Sequence, residues 1–256
     1  MDGTIYQDFS FYKHYIHFMV EGTDKETWEP RLAEYAEDVL CGKRLNMNSF
    51  YRCAAILADD PEEYIELAEK AVLSGMTVKE SANLNDAIYL GDAWAVLTLI
   101  GYSLGVFGAE RCQETYRRTR RVMEESGLCG SIRLRDAMKR VNNCCETILL
   151  SNSDTETAQK LLGKLGYRGI FTQERFSVEK PYGLVDAVGY CLPGALEHPQ
   201  AVLAIGDHAY NDLEPLRRLG CRTLWMNPYS GIREPAYDIC LKTLDELADY
   251  LNGLCG

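Results

Sequence analysis

The stretch "AVLAIGDHAYNDLEPLRRLGCRTLWMNP", residues 201–228, decides the fold. Its apolar run over residues 201–205 ends in Gly-Asp, an amphipathic helical pattern follows, and a second apolar run begins at Thr223. Short apolar runs that alternate with amphipathic helices are typical of βα units, whose helices cover a parallel sheet. The stretch therefore predicts two parallel strands joined by a helix.

The same pattern recurs in the rest of the second half of the chain. "TILLSN" (147–152) precedes the helical pattern "DTETAQKLLGKLG" (154–166), "GIFT" (169–172) precedes "PYGLVDAVGYCL" (181–192), and "DICL" (238–241) precedes "TLDELADYLNGL" (243–254). Together these runs predict five short strands with right-handed helical crossovers. We therefore expect an open, Rossmann-like parallel sheet that binds ligands at the carboxyl ends of its strands.

Residues 10–140 follow a helical pattern instead, because their apolar positions recur three and four apart. The pattern is plainest in "DPEEYIELAEKAVLSG" (60–75), "SANLNDAIYLGDAWAVLTLIGYSL" (81–104) and "AERCQETYRRTRRVMEESG" (109–127). No alternation typical of a strand stands out in this part of the sequence. We therefore predict an α/β fold whose core, residues 1–12 and 140–256, holds an inserted all-helical domain, residues 13–139.

Composition narrows the class of protein. With 256 residues, 46% of them hydrophobic, the chain can bury a large core, and its net charge of −11 argues against nucleic acid as the main partner. Its ten cysteines include no Cys-x-x-Cys pair, so we expect free thiols in a reducing cytoplasm. The longest uncharged run, residues 93–109, is shorter than the ~20 residues that cross a bilayer, so no membrane partner is expected.

Polar residues follow the predicted strands. Ser151 and Asn152 end the first, and "SDTE" (153–156) reads as a capping box that opens the next helix, an arrangement suited to an anion. Asp207 ends a later strand and Asp212 follows one loop on, so that two carboxylates could bind a hard cation such as Mg²⁺. Ordinary helix capping and turn formation explain the same residues equally simply, and His208 reads as a loop residue.

A lysine and the N-terminus add to this set. Lys180 precedes a predicted helix, where it is either solvated or neutralises a bound phosphate. The chain begins "MDGTIYQD". The order Asp-Gly-Thr, Ser-Asn, Lys-Pro and Gly-Asp-x-x-x-Asn-Asp resembles the haloacid dehalogenase (HAD) superfamily of phosphotransferases. The resemblance covers about half the chain. The motifs "VEKPYGLVDAV" and residues 204–228 look most like helical-cap phosphatases that include pyrimidine-nucleotidase-like members, and residues 10–140 correspond to the cap.

The resemblance implies a role for each matching residue. Ser151 and Asn152 would bind the transferring phosphoryl group, and Lys180 would neutralise it and orient the nucleophile. Asp207 would bind Mg²⁺ with support from Asp212. Asp2 would be the general acid and base, and its backbone carbonyl would also contact the metal. An acid at this position is absent from the dehalogenases of the superfamily, so the resemblance implies phosphate chemistry.

The family's nucleophilic aspartate lies two residues before its general acid, and no residue of this sequence occupies that position because Met1 is the spacer. In the family this aspartate ends the first strand, at the centre of the sheet. Loss of a central strand leaves backbone groups of its neighbours unpaired. We therefore expect a chain that starts upstream, with a genuine short form as the alternative. As written, the chain is expected to be inactive or severely impaired.

Three functions follow from the sequence. The first is a Mg²⁺-dependent phosphomonoester hydrolase of a small phosphorylated metabolite, a nucleotide or sugar phosphate, that works through an aspartyl-phosphate. The second is a non-catalytic HAD-like protein that binds a phosphorylated ligand or a protein partner. The third is a mutase or a phosphonate-cleaving enzyme on the same core, although the sequence shows no cap groups for those reactions.

Overall fold

A computed structural model describes residues 1–70, 87–229 and 237–254, which fall into two compact units. The helical unit comprises Phe9–Ser126 and Tyr229. The α/β unit comprises Met1–Asp8, Gly127–Pro228 and the described residues 237–254. The unit boundaries differ from the predicted domain boundaries, since residues 9–12 group with the helical unit and residues 127–139 with the α/β unit. The division into a core and an inserted cap stays a prediction.

The helical unit packs its helices around aromatic side chains. Its elements are α1 (Phe11–Val20), a 3₁₀ turn (Glu26–Trp28), α2 (Glu29–Leu40), β1 (Phe50–Arg52), α3 (Pro61–Lys70), β2 (Ala87–Tyr89), α4 (Ala93–Ser103) and α5 (Ala109–Glu125). Phe11 stacks on Trp94 with 4.1 Å between ring centroids, and the buried Tyr15 meets the edge of the same indole. These contacts join α1 to α4, as the apolar spacing of both helices requires.

A pair of strands interrupts the predicted all-helical pattern. β1 and β2 pair antiparallel, with Phe50 opposite Tyr89 and their ring centroids 5.0 Å apart. The prediction of a helix through residues 87–89 is therefore wrong, and residues 71–75 and 81–86 of the predicted helices lie outside the described residues. Strands of three residues are too short to show an alternation in sequence, and a cross-strand aromatic pair stabilises them only once both are in place.

The α/β unit alternates short parallel strands with helices, as the βα pattern predicted, but its strands form two separate sheets rather than one. Its elements are α6 (Ile132–Val141), β3 (Ile148–Leu150), α7 (Thr155–Leu165), β4 (Gln173–Arg175), α8 (Leu184–Cys191), 3₁₀ turns (Ala195–Glu197 and Pro199–Ala201), β5 (Leu203–Gly206), a π-helical turn (Ala209–Leu213), α9 (Glu214–Arg217), β6 (Arg222–Met226), β7 (Ile239–Leu241) and α10 (Leu244–Gly253). β3 pairs parallel with β4, and β5, β6 and β7 form a second parallel sheet in that order. The α/β class is confirmed.

The second predicted strand lies later in the chain than expected. Residues 169–172 form a turn rather than a strand, because Gly169 takes a positive φ of 73° and the Ile170 amide donates to the Tyr167 carbonyl at 3.0 Å. The chain becomes extended only at Gln173, beside Ile148 of β3. Ile170 is buried, so its apolar character reflects packing under the turn.

Two further expectations concern the whole chain. Among the described residues, eight cysteines are free thiols, whereas Cys144 is in a disulfide bond, so the expectation that all are free is wrong for Cys144. Which thiols the fold brings together cannot be read from their spacing in sequence. Within the described ranges, no helix combines the length and the apolar character of a membrane span.

Candidate active site

Lys180 links the carboxyl ends of two strands. Its Nζ donates to the Leu150 carbonyl, the last residue of β3, at 3.2 Å and lies 2.5 Å from Oδ1 of Asp212, in the turn after β5. The side chains of Lys180 and Asp212 are only 11% and 12% exposed. Lys180 is therefore a largely buried cation at the sheet edge where the sequence predicted a ligand site, and it is not a solvated surface lysine.

The turn after β5 folds Asp212 back toward the strand. The Asp212 amide donates to the His208 carbonyl at 2.8 Å, and Oδ2 of Asp212 accepts from the His208 amide at 3.2 Å. A Cβ on Gly206 would overlap the Asp212 side chain, so the close approach requires glycine. Burial opposes ionisation of Asp212, but the positive charge of Lys180 outweighs it and holds the pKa of this carboxyl below its usual range.

His208 acts within the loop, as the sequence suggested. Its Nδ1 accepts a hydrogen bond from the Asn211 amide at 3.2 Å and so caps the π-helical turn. Burial lowers the pKa of the imidazole. An accepting Nδ1 and a lowered pKa both favour the neutral ring, whose proton is then on Nε2.

Asp207 is buried against the N-terminal residues. It is 5% exposed, its Oδ1 accepts from the Thr4 hydroxyl at 2.8 Å, and its backbone carbonyl accepts from the Trp225 indole at 2.8 Å. Gly3 has a φ of +72°, and a Cβ there would overlap the Asp207 carboxylate. Asp207 therefore lies directly against Gly3 and the Thr4 side chain.

Asp2 belongs to a tight N-terminal turn. The Met1 carbonyl accepts from the amides of Thr4 at 3.2 Å and Ile5 at 3.0 Å. The chain then folds back, so that the buried Tyr6 hydroxyl donates to Oδ1 of Asp2. The Thr4–Asp207 bond attaches this turn to the end of β5.

Ser151 and Asn152 hold the neighbouring loops in place. Ser151 is 4% exposed, and its hydroxyl accepts from the Ser153 amide at 3.2 Å. The Asn152 side chain pairs with the backbone of Lys180: Oδ1 accepts from its amide at 2.7 Å and Nδ2 donates to its carbonyl at 3.1 Å. Asn152 therefore fixes the backbone that carries the lysine. That Ser151 and Asn152 bind a phosphoryl group stays a prediction.

The predicted capping box at residues 153–156 is wrong by one residue. Asp154 is the N-cap of α7, and its Oδ1 accepts from the Thr157 amide at 2.9 Å. Ser153 instead uses its amide to reach the Ser151 hydroxyl. Serine and aspartate both cap helices, so the sequence alone does not distinguish Ser153 from Asp154 as the N-cap. The geometry of the loop decides which of them caps α7.

The donor atoms suit Mg²⁺ in chemistry but make a sparse set. Asp207 offers a carboxylate beside Gly3 and the Thr4 hydroxyl, and Mg²⁺ prefers oxygen ligands and keeps several waters. Among residues 1–70, 87–229 and 237–254, no group of three or more His, Cys, Asp or Glu side chains could hold a metal. Asp212 shares its oxygens between Lys180 and the His208 amide. Asp207 is therefore the ligand that fits best, and the metal roles that the resemblance gives to the Asp2 carbonyl and to Asp212 stay predictions.

Sequence reasoning missed three contacts of the site. Thr4 lies within the quoted Asp-Gly-Thr motif, so its bond to Asp207 had a signal in the sequence. No pattern in the sequence marks Tyr6 as a partner of the Asp2 carboxylate or Trp225 as a partner of the Asp207 carbonyl. Both contacts are visible only in the folded structure.

Comparison with known proteins shows the fold. No family model matches the sequence, and no curated protein does. Solved structures do match. A protein from Bacillus subtilis described as the HAD-hydrolase YfnB, bound to magnesium, is 20% identical over 98% of this chain and 96% of its own, with a TM-score of 0.50. A protein from Thermotoga maritima described as a beta-phosphoglucomutase is 14% identical over 99% of this chain and 96% of its own, also with a TM-score of 0.50. The chain therefore has the haloacid dehalogenase-like fold that the motifs predicted.

Proposed function

We propose that the chain is a HAD-type, Mg²⁺-dependent phosphomonoester hydrolase of a small phosphorylated metabolite, such as a nucleotide or a sugar phosphate. The observation that carries the proposal is the buried Lys180–Asp212 pair between the ends of β3 and β5, with Asp207 beside the Asp2 turn. A buried ammonium beside carboxylates can hold a phosphate and a cation together. The net charge of −11 favours a small substrate over nucleic acid, and we place the reaction in the cytoplasm without a membrane partner.

The residues act in two steps in this proposal. A carboxylate nucleophile attacks phosphorus, and the bond to the leaving oxygen breaks while Asp2 gives that oxygen a proton. Asp2 then takes a proton from a water molecule, which attacks the aspartyl-phosphate and releases inorganic phosphate. Lys180 and Ser151 hold the phosphoryl oxygens, and Asn152 holds the backbone of Lys180 in place. Mg²⁺ would be held by Asp207, with support from Asp212 and the Asp2 carbonyl. It would supply positive charge beside the phosphoryl oxygens.

The nucleophile is the part that residues 1–256 do not contain, because the family's position lies two residues before Asp2. The two sheets of the α/β unit are compatible with a further strand between them, supplied from outside this sequence. β3–β4 and β5–β6–β7 are separate sheets, although Lys180 contacts both the end of β3 and the turn after β5. A strand that paired with both β3 and β5 would carry its last residue to this edge.

The test is to add an upstream strand that ends in aspartate two positions before Asp2, and to assay an aryl phosphate. We expect turnover that requires Mg²⁺ and that disappears when the added aspartate is changed to asparagine. The asparagine version is the matched control, since it restores the strand without the nucleophile. An extended protein that is folded but inert toward a broad panel of phosphate monoesters would refute the proposal.

A second function is favoured by the contacts of Asp212, whose two oxygens are already bound by the Lys180 ammonium and the His208 amide. In this alternative the chain binds a phosphorylated ligand or a protein partner without catalysis. Residues 1–256 as they stand would then gain thermal stability with a phosphorylated ligand and show no turnover. Measured turnover by this chain would exclude the alternative.

A further inference from the structure

We propose that Tyr6 is the positioning residue of the site: its buried hydroxyl holds the Asp2 carboxylate in one orientation. The inference rests on the proposed function only in giving Asp2 a catalytic task. The contact itself is a property of the chain. Tyr6 is 2% exposed, and its hydroxyl donates to Oδ1 of Asp2.

The backbone turn of residues 1–6 brings the Asp2 and Tyr6 side chains together. Asp2 and Tyr6 form a parallel β-bridge, and the Met1 carbonyl accepts from the amides of Thr4 and Ile5 inside the same turn. Gly3 supplies the positive φ that the turn needs. The side chains of residues 2 and 6 thus meet because of the turn, before any contact with another element.

Two outer contacts anchor the turn to the rest of the α/β unit. Thr4 donates to Asp207 at 2.8 Å, and Nε2 of Gln7 donates to the Lys242 carbonyl, just before α10, at 3.0 Å. With the segment held on both sides of Tyr6, the phenol ring cannot follow Asp2 if the carboxylate rotates. The hydroxyl is therefore a fixed reference point for the carboxylate.

The chemistry of the pair favours a single orientation of Asp2. A hydrogen bond to an ionised acceptor is roughly twice as strong as one between neutral groups, and it strengthens further where water is excluded. A carboxylate fixed through Oδ1 presents Oδ2 in one direction, as proton transfer to a leaving oxygen requires.

The direct test uses residues 1–256 labelled with [γ-¹³C]aspartate and [ζ-¹³C]tyrosine. Asp2→Asn assigns the Asp2 resonance, and Tyr6→Phe removes the hydroxyl while keeping the ring. We expect Tyr6→Phe to shift the Asp2 carboxyl resonance, and Asp2→Asn to shift the Tyr6 Cζ resonance. The two variants probe one bond from both ends, so the inference is testable even if one of them fails to fold.

The matched control is Tyr12→Phe. Tyr12 also donates to a carboxylate, Oε2 of Glu37 at 2.8 Å, but both residues belong to the helical unit. This variant loses the same kind of bond and should leave the Asp2 resonance unchanged. An Asp2 resonance that is the same in Tyr6→Phe and the wild type would overturn the inference.

Catalysis gives a second readout in the nucleophile-bearing form. Tyr6→Phe should lower kcat about tenfold or more with little change in KM, since general acid–base groups contribute roughly 10²–10⁴-fold to rates. In an Asp2→Asn background the same substitution should have no further effect on the residual rate, whereas a merely structural role would slow both proteins equally and overturn the inference. If the resonances report the bond but the extended protein has no turnover, the proposed function fails and the positioning of Asp2 stands.

Discussion

The ammonium of Lys180 lies 2.5 Å from Oδ1 of Asp212, and both side chains are nearly excluded from solvent. Lys180 also donates to the Leu150 carbonyl at the end of β3. A single cation thus joins a residue 30 positions before it in the sequence to a residue 32 positions after it. Because an uncompensated buried charge is costly, the pair is a structural requirement of the α/β unit as well as a candidate phosphate site.

Lys180→Met should destabilise the protein strongly. The substitution keeps an apolar stem of similar length and leaves the Asp212 carboxylate buried without its cation, which costs about 3–5 kcal/mol. Urea unfolding followed by tryptophan fluorescence measures the change. The double variant Lys180→Met/Asp212→Leu should recover part of the loss, because it removes the unpaired charge.

Lys139→Met is the matched control for that substitution. Lys139 pairs with Asp136 at 3.7 Å on α6, but the two side chains are 64% and 52% exposed. Exposed pairs contribute about 0–1 kcal/mol, so this variant should unfold close to the wild-type midpoint. Equal losses for the two lysines would show that the burial of Lys180 has no energetic consequence.

Gly206→Ala should disturb the site through Asp212. A methyl group at this position would overlap the Asp212 side chain, so the turn after β5 must shift and disturb the contact of Asp212 with Lys180. Forcing extra volume into a packed site costs about 1–3 kcal/mol. Differential scanning calorimetry on Gly206→Ala should therefore show a lower Tm.

Gly189→Ala, also in the α/β unit, should change Tm in the opposite direction to Gly206→Ala. Gly189 is in α8, and no heavy atom lies within 4 Å of the place where its Cβ would be. Alanine in a helix interior is more favourable than glycine by about 0.5–1 kcal/mol, so its Tm should rise. A fall in Tm for both variants would contradict the steric argument.

The sequence could predict the fold where burial alone decides the structure. β5 and β6 coincide with apolar runs, since Ala204, Leu224 and Trp225 are buried in the sheet. It failed at β4, where Gln173–Arg175 carry no apolar signal and pair with β3 only because the turn at Gly169 delivers them there. Local pattern thus finds buried strands, whereas a polar strand depends on its neighbours.

The candidate site divides in the same way. The positions of Asp207 and Asp212 at the end of β5, and of Lys180 before α8, could be predicted because strand ends are marked by the strands themselves. The residues that these side chains contact could not be predicted from the sequence. That Asn152 pairs with the Lys180 backbone, or that Trp225 supports Asp207, depends on contacts between loops distant in sequence.

The contribution of Asp154 to stability should depend on pH. Its hydrogen bond from the Thr157 amide at the start of α7 holds the pKa of this carboxyl below its usual range. A lowered pKa in the folded state means that the carboxylate stabilises the protein above the ordinary value of about 3.9, and that this effect is lost as pH falls through the folded-state pKa.

Two substitutions separate capping from charge at residue 154. Asp154→Ala should cost about 1 kcal/mol at pH 7, whereas Asp154→Ser keeps a cap without a titrating group. Urea unfolding from pH 7 down to pH 3 should show the advantage of wild type over Asp154→Ser shrinking below about pH 4. An advantage that is constant over this range would show that the carboxylate charge contributes nothing at α7.

Asn152 should affect phosphate binding only through Lys180. Its amide group is paired with the amide and carbonyl of Lys180, so Asn152→Ala loosens the backbone that aims the ammonium. Isothermal titration of inorganic phosphate in the presence of Mg²⁺ gives the affinity of Asn152→Ala, Lys180→Met and the double variant, with Asn143→Ala as an exposed asparagine control. We expect the double variant to bind no more weakly than Lys180→Met, because removing the ammonium removes what Asn152 positions. If instead the two losses multiply, Asn152 contacts the phosphate directly, as the family resemblance implies, and the pairing with Lys180 gives way when the anion binds.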